Sequence, residues 1–345
     1  MTRESRCRNG SVALTRLHIP TPMMKKLFAA VLLSISSAAA FAVPFGSQSV
    51  LVVEDDTGKV LLEKNPTAVV PIASLTKLMT AMVILDAKQD MNELIEIDRS
   101  DVDTLKHSSS RVPVGASIPR GDVLQLALMS SDNRAAASLA RTYPGGLPAF
   151  KEAVRRKIAA LGMSNTVIEE PTGLSPNNRS TAADLVKMAN AASKYKEITD
   201  RTTDAKNLIS INSREVEFHN TNRLVGAKGW DIGLSKTGYI QEAGRCLIMS
   251  IKAGGKNATM VLLNAGASSA RIMDALNIRR FINGKDPVVA SASRSVAKAG
   301  SRAPRIKASA ARRVKLKAKA SSRSKSKVVV SPKKKKAVVT RKRRN

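Results

Sequence analysis

Three short motifs occur in one order along the chain and could together perform acyl transfer. They are Ser74-Leu-Thr-Lys77, Ser131-Asp-Asn133 and Lys236-Thr-Gly238. A serine hydroxyl is a weak nucleophile until a neighbouring base takes its proton, and a lysine can be that base if its pKa is lowered. The motifs therefore predict a serine acyltransferase that uses lysine where other serine hydrolases use histidine.

Ser74 is the serine whose surroundings best suit a nucleophile. It precedes a run from Leu75 to Ala87 with few helix breakers and with apolar residues at helical spacing, so we expect it at a helix N-terminus. Its backbone N–H would there face a developing oxyanion. Five other serines also begin an S-x-x-K match, at a helix end or in a basic tail: Ser193, Ser295, Ser322, Ser324 and Ser331.

Lys77 is the predicted general base, because residues three apart share one face of a helix. The ordinary pKa of lysine is about 10.4, so the pKa of Lys77 must fall by several units before it can accept a proton near pH 7. Burial and a neighbouring cation would both lower it. Lys236 is the candidate for that cation.

Ser131 and Asn133 lie between two predicted helices. In a locally extended connection the first and third side chains point the same way. The Ser131 hydroxyl could then relay a proton to a leaving amine and Asn133 could bind a substrate carbonyl, while Asp132 would point elsewhere. Taken alone, Ser-Asp-Asn is equally a common turn and helix-capping composition.

Lys236 and Thr237 come at the end of a strand predicted from Asp231, where they could hold a substrate carboxylate. Gly238 has no side chain to prevent a substrate backbone from lying along the strand. The N–H of Tyr239 would supply a second oxyanion donor. The alternative is a strand that ends in glycine and carries a surface lysine.

Charge divides the chain into three parts. Residues 291–345 contain 21 Lys and Arg and no Asp or Glu, whereas the body at 43–290 has a net charge of only +5. We expect the tail to be disordered and to contact an anionic membrane or wall surface. A polyanion-binding protein carried by this tail is an alternative function, although nucleic acid is not expected as the physiological partner of an exported chain.

Residues 1–42 predict an N-terminal extension and a signal peptide. Lys25 and Lys26 form the basic part, Leu27 to Ile35 the apolar part and Ala40 to Ala42 the cleavage site. The chain is therefore expected to be exported to the periplasm, with possible attachment to membrane or wall.

Cysteine and histidine are scarce after that site. Cys246 is the one cysteine beyond it, so an intrachain disulfide is excluded there and a buried, inert thiol is expected. His107 and His219 are expected to be surface or packing residues. Without metal-ligand spacing, the sequence predicts neither a metal nor a cofactor and disfavours a Ser-His-Asp triad.

The body at 43–290 reads as strands, then helices, then strands. It predicts a mixed α/β (α+β) fold in which an antiparallel sheet, built from both ends of the body, is flanked by helices and interrupted by a helical subdomain. The predicted strands are 49–54, 59–63, 215–219, 231–237, 245–253 and 258–264. The predicted helices are 74–87, 122–129, 134–141, 147–161, 181–194 and 268–281.

Longer stretches around the motifs resemble the D-alanyl-D-alanine endopeptidase branch of the low-molecular-mass penicillin-binding proteins. These stretches are Val70 to Thr80, Leu128 to Ala136, Pro171 to Asn178 with Ser180 to Ala182, and Lys236 to Cys246. The resemblance covers essentially all of 43–290 and none of the tail. It implies a β-lactamase/transpeptidase-like fold, a peptidoglycan substrate and β-lactam antibiotics as covalent inhibitors.

The resemblance also implies roles for the motif residues. Ser74 would be the acyl-enzyme nucleophile, Lys77 the general base, Ser131 and Asn133 would serve proton relay and substrate binding, and Lys236 with Thr237 would hold a carboxylate. Endopeptidases of this family cleave the cross-link between D-alanine and the D-centre of diaminopimelate.

Two other enzymes remain open. A carboxypeptidase removes a terminal D-alanine and needs the same motifs. A β-lactamase must also deacylate quickly, and class A enzymes use a glutamate in an E-x-x-L-N loop that Glu169 and Glu170 do not complete. These glutamates are expected to be ordinary loop charges, so slow deacylation of penicillin is predicted.

Overall fold

The computed structural model describes residues 45–286. The predicted N-terminal extension and signal peptide over 1–42 and the predicted basic tail over 291–345 lie outside these residues. No helix of the described chain is both long and apolar enough to cross a membrane.

The longer elements follow the predicted order of strands, then helices, then strands, and four short strands that were not predicted, all between Val70 and Ser180, lie in the helical part. The strands are β1 (Ser49–Glu54), β2 (Val60–Lys64), β3 (Val70–Pro71), β4 (Leu94–Glu96), β5 (Ser117–Pro119), β6 (Arg179–Ser180), β7 (Lys206–Ile211), β8 (Arg214–His219), β9 (Ile232–Ile240), β10 (Gly244–Ala253) and β11 (Lys256–Ala265). The α-helices are α1 (Thr76–Asp86), α2 (Arg120–Leu128), α3 (Asn133–Arg141), α4 (Gly146–Ala160), α5 (Ala182–Ala192), α6 (Lys196–Thr203) and α7 (Ser268–Ile282).

The main sheet has five antiparallel strands in the order β2-β1-β11-β10-β9. Its first and last strands in sequence are paired, with Ser49 opposite Leu263. The predicted mixed fold, with an antiparallel sheet built from both ends of the body, is confirmed. Short two-stranded sheets join β3 to β6, β4 to β5 and β7 to β8.

Both faces of the main sheet are covered, because apolar side chains on neighbouring positions of a strand point to opposite faces. Val50 and Leu262 belong to the cluster that packs against Ala275 and Ile278 of α7. Leu51 and Val261 belong to the larger cluster that includes α1 and α5. The helical subdomain therefore shares a core with one face of the sheet.

Helix α1 is the centre of that larger core. Every residue from Thr76 to Ile84 is buried, which is typical of a helix enclosed on all sides. The reactive residues at its start are therefore anchored in a buried, close-packed core.

The structure differs from the sequence prediction around residue 210. The predicted strand 215–219 pairs with β7, which was not predicted, and the pair forms a separate hairpin rather than part of the main sheet. Asn212 and Ser213 turn this hairpin with positive φ angles of 51° and 62°. A two-residue turn of that kind usually carries Asn-Gly, so Asn-Ser gave a weak signal. Helix α6 was also missed.

Candidate active site

Ser74 lies in a 3-10 turn, Ala73–Leu75, directly before α1. The α-helix thus begins at Thr76, two residues after the predicted start at Ser74. The preceding residue, Ala73, has a φ of 47°, a conformation that costs a residue with a side chain about 1–2 kcal/mol. This bend presents the Ser74 hydroxyl at the mouth of a cleft.

Lys77 lies next to that hydroxyl, with 2.9 Å between its Nζ and Ser74 Oγ. Its ammonium also donates to Asn133 Oδ1 at 2.7 Å and to the Thr172 carbonyl at 2.6 Å. The side chain is 1% exposed. Burial lowers the pKa of Lys77 to about 8, and the negative charge of Glu170 limits the lowering. The sequence predicted two causes of a lowered pKa, burial and the charge of Lys236, and burial is the one that lowers it here.

Asn133 and Ser131 both reach the cleft, but not through an extended connection as predicted. Ser131 has a φ of 61°, and Asn133 is already the first residue of α3. Asp132 points elsewhere, as expected: its carboxylate caps α3 by accepting from Ala135 N–H and also accepts from Ser110 Oγ. The geometry of the turn, rather than strand alternation, brings the two side chains together.

Lys236 extends from β9 on the opposite side of the cleft. It is 1% exposed and donates to Ser131 Oγ at 2.8 Å and to the Thr237 carbonyl at 3.1 Å. Burial, together with the positive charge of Lys77, holds the pKa of Lys236 well below its ordinary value. Its contact with Ser131 connects the second motif to the third.

Gly238 lies within β9 rather than at its end, because the strand continues to Ile240. A Cβ atom placed at Gly238 would be 3.1 Å from the backbone nitrogen of Ser74. The glycine thus permits the strand to run beside the nucleophile. Tyr239 follows it with its side chain 52% exposed, and the Thr237 hydroxyl donates to Thr221 Oγ1 at 2.6 Å.

A cavity of about 490 Å³ opens beside Ser74. Its lining includes Ser131, Asn133 and the β9 residues Thr237, Gly238 and Tyr239. Three arginines that the sequence did not single out also line it: Arg223, Arg245 and Arg271. Each is an isolated basic residue in an ordinary context, so no sequence signal marked them.

A loop from Glu170 to Asn178 packs against the backbone of the turn that carries Ser74. The Glu170 carboxylate accepts hydrogen bonds from the backbone of Thr172, Gly173 and Ser175 and from the side chains of Thr172 and Asn178. The expectation that Glu170 is an ordinary loop charge is therefore wrong, because its carboxylate organises the loop. Glu169 is exposed and contacts Asn177.

Gly173 is the closest point of this loop to the nucleophile. Its φ is 85°, and a Cβ there would lie 2.0 Å from the carbonyl oxygen of Ala73 and 2.7 Å from the nitrogen of Ser74. Gly173→Ala should therefore displace Ser74. We expect acylation by a penicillin to slow about 100-fold, as for a displacement of about 1 Å, and the free energy of unfolding to fall by about 1–3 kcal/mol.

Gly255→Ala is the matched control for this substitution. Gly255 also has a positive φ, 76°, but no atom lies within 4 Å of a Cβ placed there. The Gly255→Ala variant should lose about 1 kcal/mol of stability, because alanine is strained at a positive φ, and should acylate at the normal rate. Equal acylation by the Gly173→Ala variant would show that the loop does not position Ser74.

The other residues considered from the sequence lie away from this chemistry. Cys246 is fully buried, as predicted, and burial raises its pKa to about 11, which disfavours the reactive thiolate. His107 and His219 are exposed on the surface, as predicted.

Known proteins share both the sequence and the fold. A family model described as "D-alanyl-D-alanine carboxypeptidase", peptidase S11, matches residues 36–267. A D-alanyl-D-alanine endopeptidase of Pseudomonas aeruginosa is 45% identical over 238 residues, which are 68% of this chain and 77% of the relative. One of Escherichia coli K12 is 42% identical over 255 residues, 73% of this chain and 82% of the relative.

Two solved structures share the fold. The Streptomyces K15 DD-transpeptidase superposes with a TM-score of 0.65 at 24% identity. Penicillin-binding protein D2 of Listeria monocytogenes, in its ampicillin-bound form, gives 0.59 at 27% identity. Each comparison covers 70% of this chain and 98% of the other.

Proposed function

Because this chain belongs to the peptidase S11 family of serine D,D-peptidases, we propose that it is a peptidoglycan endopeptidase that cleaves D-alanyl cross-links through an acyl-enzyme at Ser74. The observation that carries the proposed mechanism is the contact between Ser74 Oγ and the buried amine of Lys77. Both relatives described above are named endopeptidases, which supports the choice of substrate.

Acylation begins at this contact. Lys77, as the free amine, accepts the proton of the Ser74 hydroxyl while Ser74 Oγ attacks the carbonyl carbon of the D-alanyl residue. The backbone N–H groups of Ser74 and Tyr239 stabilise the oxyanion, since Gly238 lets β9 run beside the nucleophile. Asn133 binds the amide group of the substrate on the other side of the cleft.

Collapse of this intermediate requires a proton on the leaving amine. Ser131 supplies it from its hydroxyl and is reprotonated by Lys236, whose Nζ is 2.8 Å from Ser131 Oγ. Thr237 holds the carboxylate next to the scissile bond. Lys77 then loses the proton it accepted to solvent, and Lys236 regains one from solvent. Water hydrolyses the ester at Ser74 with the free amine of Lys77 again as the base, and the proton taken from the water passes to Ser74 Oγ as the ester bond breaks.

Cavities lie on both sides of Asn133, which supports the proposal that the substrate is cross-linked. The cavity beside Ser74 holds the leaving stem peptide, and a second cavity of about 240 Å³ begins at Asn133 and extends past Leu105 and Leu147. A carboxypeptidase needs space for only one alanine on the leaving side. Both stems of a cross-link can therefore be bound.

The test is digestion of purified sacculi with the wild type and with Ser74→Ala, followed by mass analysis of the muropeptides. The endopeptidase converts cross-linked dimers to monomers, and the variant leaves them intact. Loss of terminal D-alanine alone would make the chain a carboxypeptidase. No change in either product would favour the polyanion-binding function.

We also propose that the chain is exported and that its basic tail holds it at an anionic membrane or wall surface. Peptidoglycan lies outside the cytoplasmic membrane, and each basic residue near an anionic membrane contributes about 1 kcal/mol. Truncation after Ala290 should release the protein from isolated envelopes at a salt concentration that retains the full chain. Equal retention of both forms would contradict this.

A further inference from the structure

The cavity beside Ser74 carries more positive charge than one substrate carboxylate requires. Arg223, Arg245 and Arg271 line it, and none of the described residues that line it is Asp or Glu. Within residues 45–286, none of these arginines forms an ion pair. Three unpaired guanidinium groups around one cavity predict an anionic ligand with more than one charged group.

The arginines differ in depth. Arg271 is 8% exposed, and its guanidinium donates to the carbonyl of Cys246 at 3.1 Å. It belongs to the floor of the cavity that Thr237 also lines. Arg223 is exposed at the rim. Arg245 lies between these extremes and is half-buried.

Arg245 is held in place by Tyr239. The two residues face each other across β9 and β10, and the guanidinium carbon lies 3.5 Å from the centre of the tyrosine ring. Stacking fixes the plane of the guanidinium while its N–H groups at the edge remain available to an acceptor. A rigid and available fork of donors is suited to a carboxylate.

The strand sets the distance between two bound carboxylates. Tyr239 is two residues beyond Thr237 on β9, a separation of about 7 Å along a strand. The side chains of Thr237 and Tyr239 point to the same face of the sheet, so a leaving stem with one carboxylate at Thr237 that continues over this face within the cavity can bring a second group to Arg245.

We infer that Arg245, stacked on Tyr239, binds a second carboxylate of the leaving stem peptide and so selects cross-linked substrates. This inference rests on the proposed endopeptidase function. A terminal D-alanine leaves with one carboxylate only. The leaving stem of a cross-linked dimer has one beside the scissile bond and others further along the peptide.

The experiment compares Arg245→Gln with the wild type on three reactions: cleavage of a purified cross-linked dimer, cleavage of the same dimer with the distal carboxylates of its leaving stem amidated, and acylation by benzylpenicillin. Arg245→Lys keeps the charge. Lys252→Gln removes one positive charge from an exposed position at the other end of β10 and is the matched control.

We expect Arg245→Gln to lower kcat/KM for the dimer about tenfold, the effect of one hydrogen bond to a charged group. Amidation should lower the wild-type value by a similar factor and leave the variant unaffected. Arg245→Lys should recover part of the loss. Acylation by benzylpenicillin, which has a single carboxylate, should be unchanged in all variants, and Lys252→Gln should match the wild type throughout.

Two outcomes would overturn the inference alone. In the first, the wild type cleaves dimers and Arg245→Gln cleaves them equally well. In the second, Arg245→Gln slows benzylpenicillin acylation by the same factor as dimer cleavage. That result would show that Arg245 maintains the structure of the active site and does not bind a second carboxylate. A wild type that leaves every dimer intact would instead remove the proposed function and the inference with it.

Discussion

Ser74→Ala is expected to abolish covalent labelling by a penicillin and to lower the rate of dimer cleavage by about 10⁶, the usual loss when a serine hydrolase loses its nucleophile. The Ser74 hydroxyl is the nucleophile in contact with the amine of Lys77, and the methyl group of alanine has no lone pair to attack a carbonyl. Intact mass after incubation with benzylpenicillin measures the result directly. The wild type should gain one penicillin mass.

Ser193→Ala is the matched control. Ser193 also begins an S-x-x-K match, but it ends α5, is exposed, and its hydroxyl donates to the Asn190 carbonyl. Its variant should label normally. Labelling of the Ser74→Ala protein at any serine would refute the assignment of the nucleophile.

The wild-type adduct should also persist. Class A β-lactamases deacylate rapidly by means of a glutamate that activates water, whereas the Glu170 carboxylate is already engaged with the Glu170 to Asn178 loop. Loss of the adduct within seconds would instead make the chain a β-lactamase.

Lys77→Met should slow acylation by about 10²–10⁴, the contribution of a general base. Methionine is close to lysine in length and fills the buried space, so the fold is kept while the amine is lost. Lys77→Arg is the second variant, because a guanidinium keeps the positive charge but cannot be deprotonated in proteins. Stopped-flow acylation with a chromogenic β-lactam measures both. Normal rates in the arginine variant would show that Lys77 acts by its charge alone.

The pH dependence follows from the same residue. With the pKa of Lys77 lowered to about 8, the protonated amine predominates at pH 6 and about one tenth is the free base at pH 7. Acylation should therefore rise about tenfold per pH unit up to pH 7 and level off above about pH 8. A rate that does not change between pH 6 and pH 9 would exclude Lys77 as the base.

The sequence predicted the parts of the site that depend on residue order. Lys77 lies next to Ser74 because three positions on a helical turn determine the contact locally. The mixed fold could also be predicted, since the strands at both ends of the body carry clear apolar patterns. These features depend on short-range geometry or on burial.

Contacts between residues that are far apart in the sequence could not be predicted from local patterns. Gly173 touches the backbone of Ala73 from a loop about 100 positions further along the chain, and the Glu170 hydrogen bonds exist only once that loop is closed. Arg245 stacks on Tyr239 only because β9 pairs with β10 and places the two residues opposite each other. Ser131 was predicted to reach the cleft through an extended connection, but its φ is positive, a conformation that residues other than glycine rarely adopt.

The pairing of β1 with β11 also determines when activity can appear during folding. Ser49 and Leu263 are neighbours in the sheet although more than 200 positions separate them, and closing contacts of such long range is slow. Lys236 enters the cleft from the same sheet. A chain still lacking β11 has helix α1 and its serine but no strand between β1 and β10, so a nascent or truncated chain is expected to be catalytically silent.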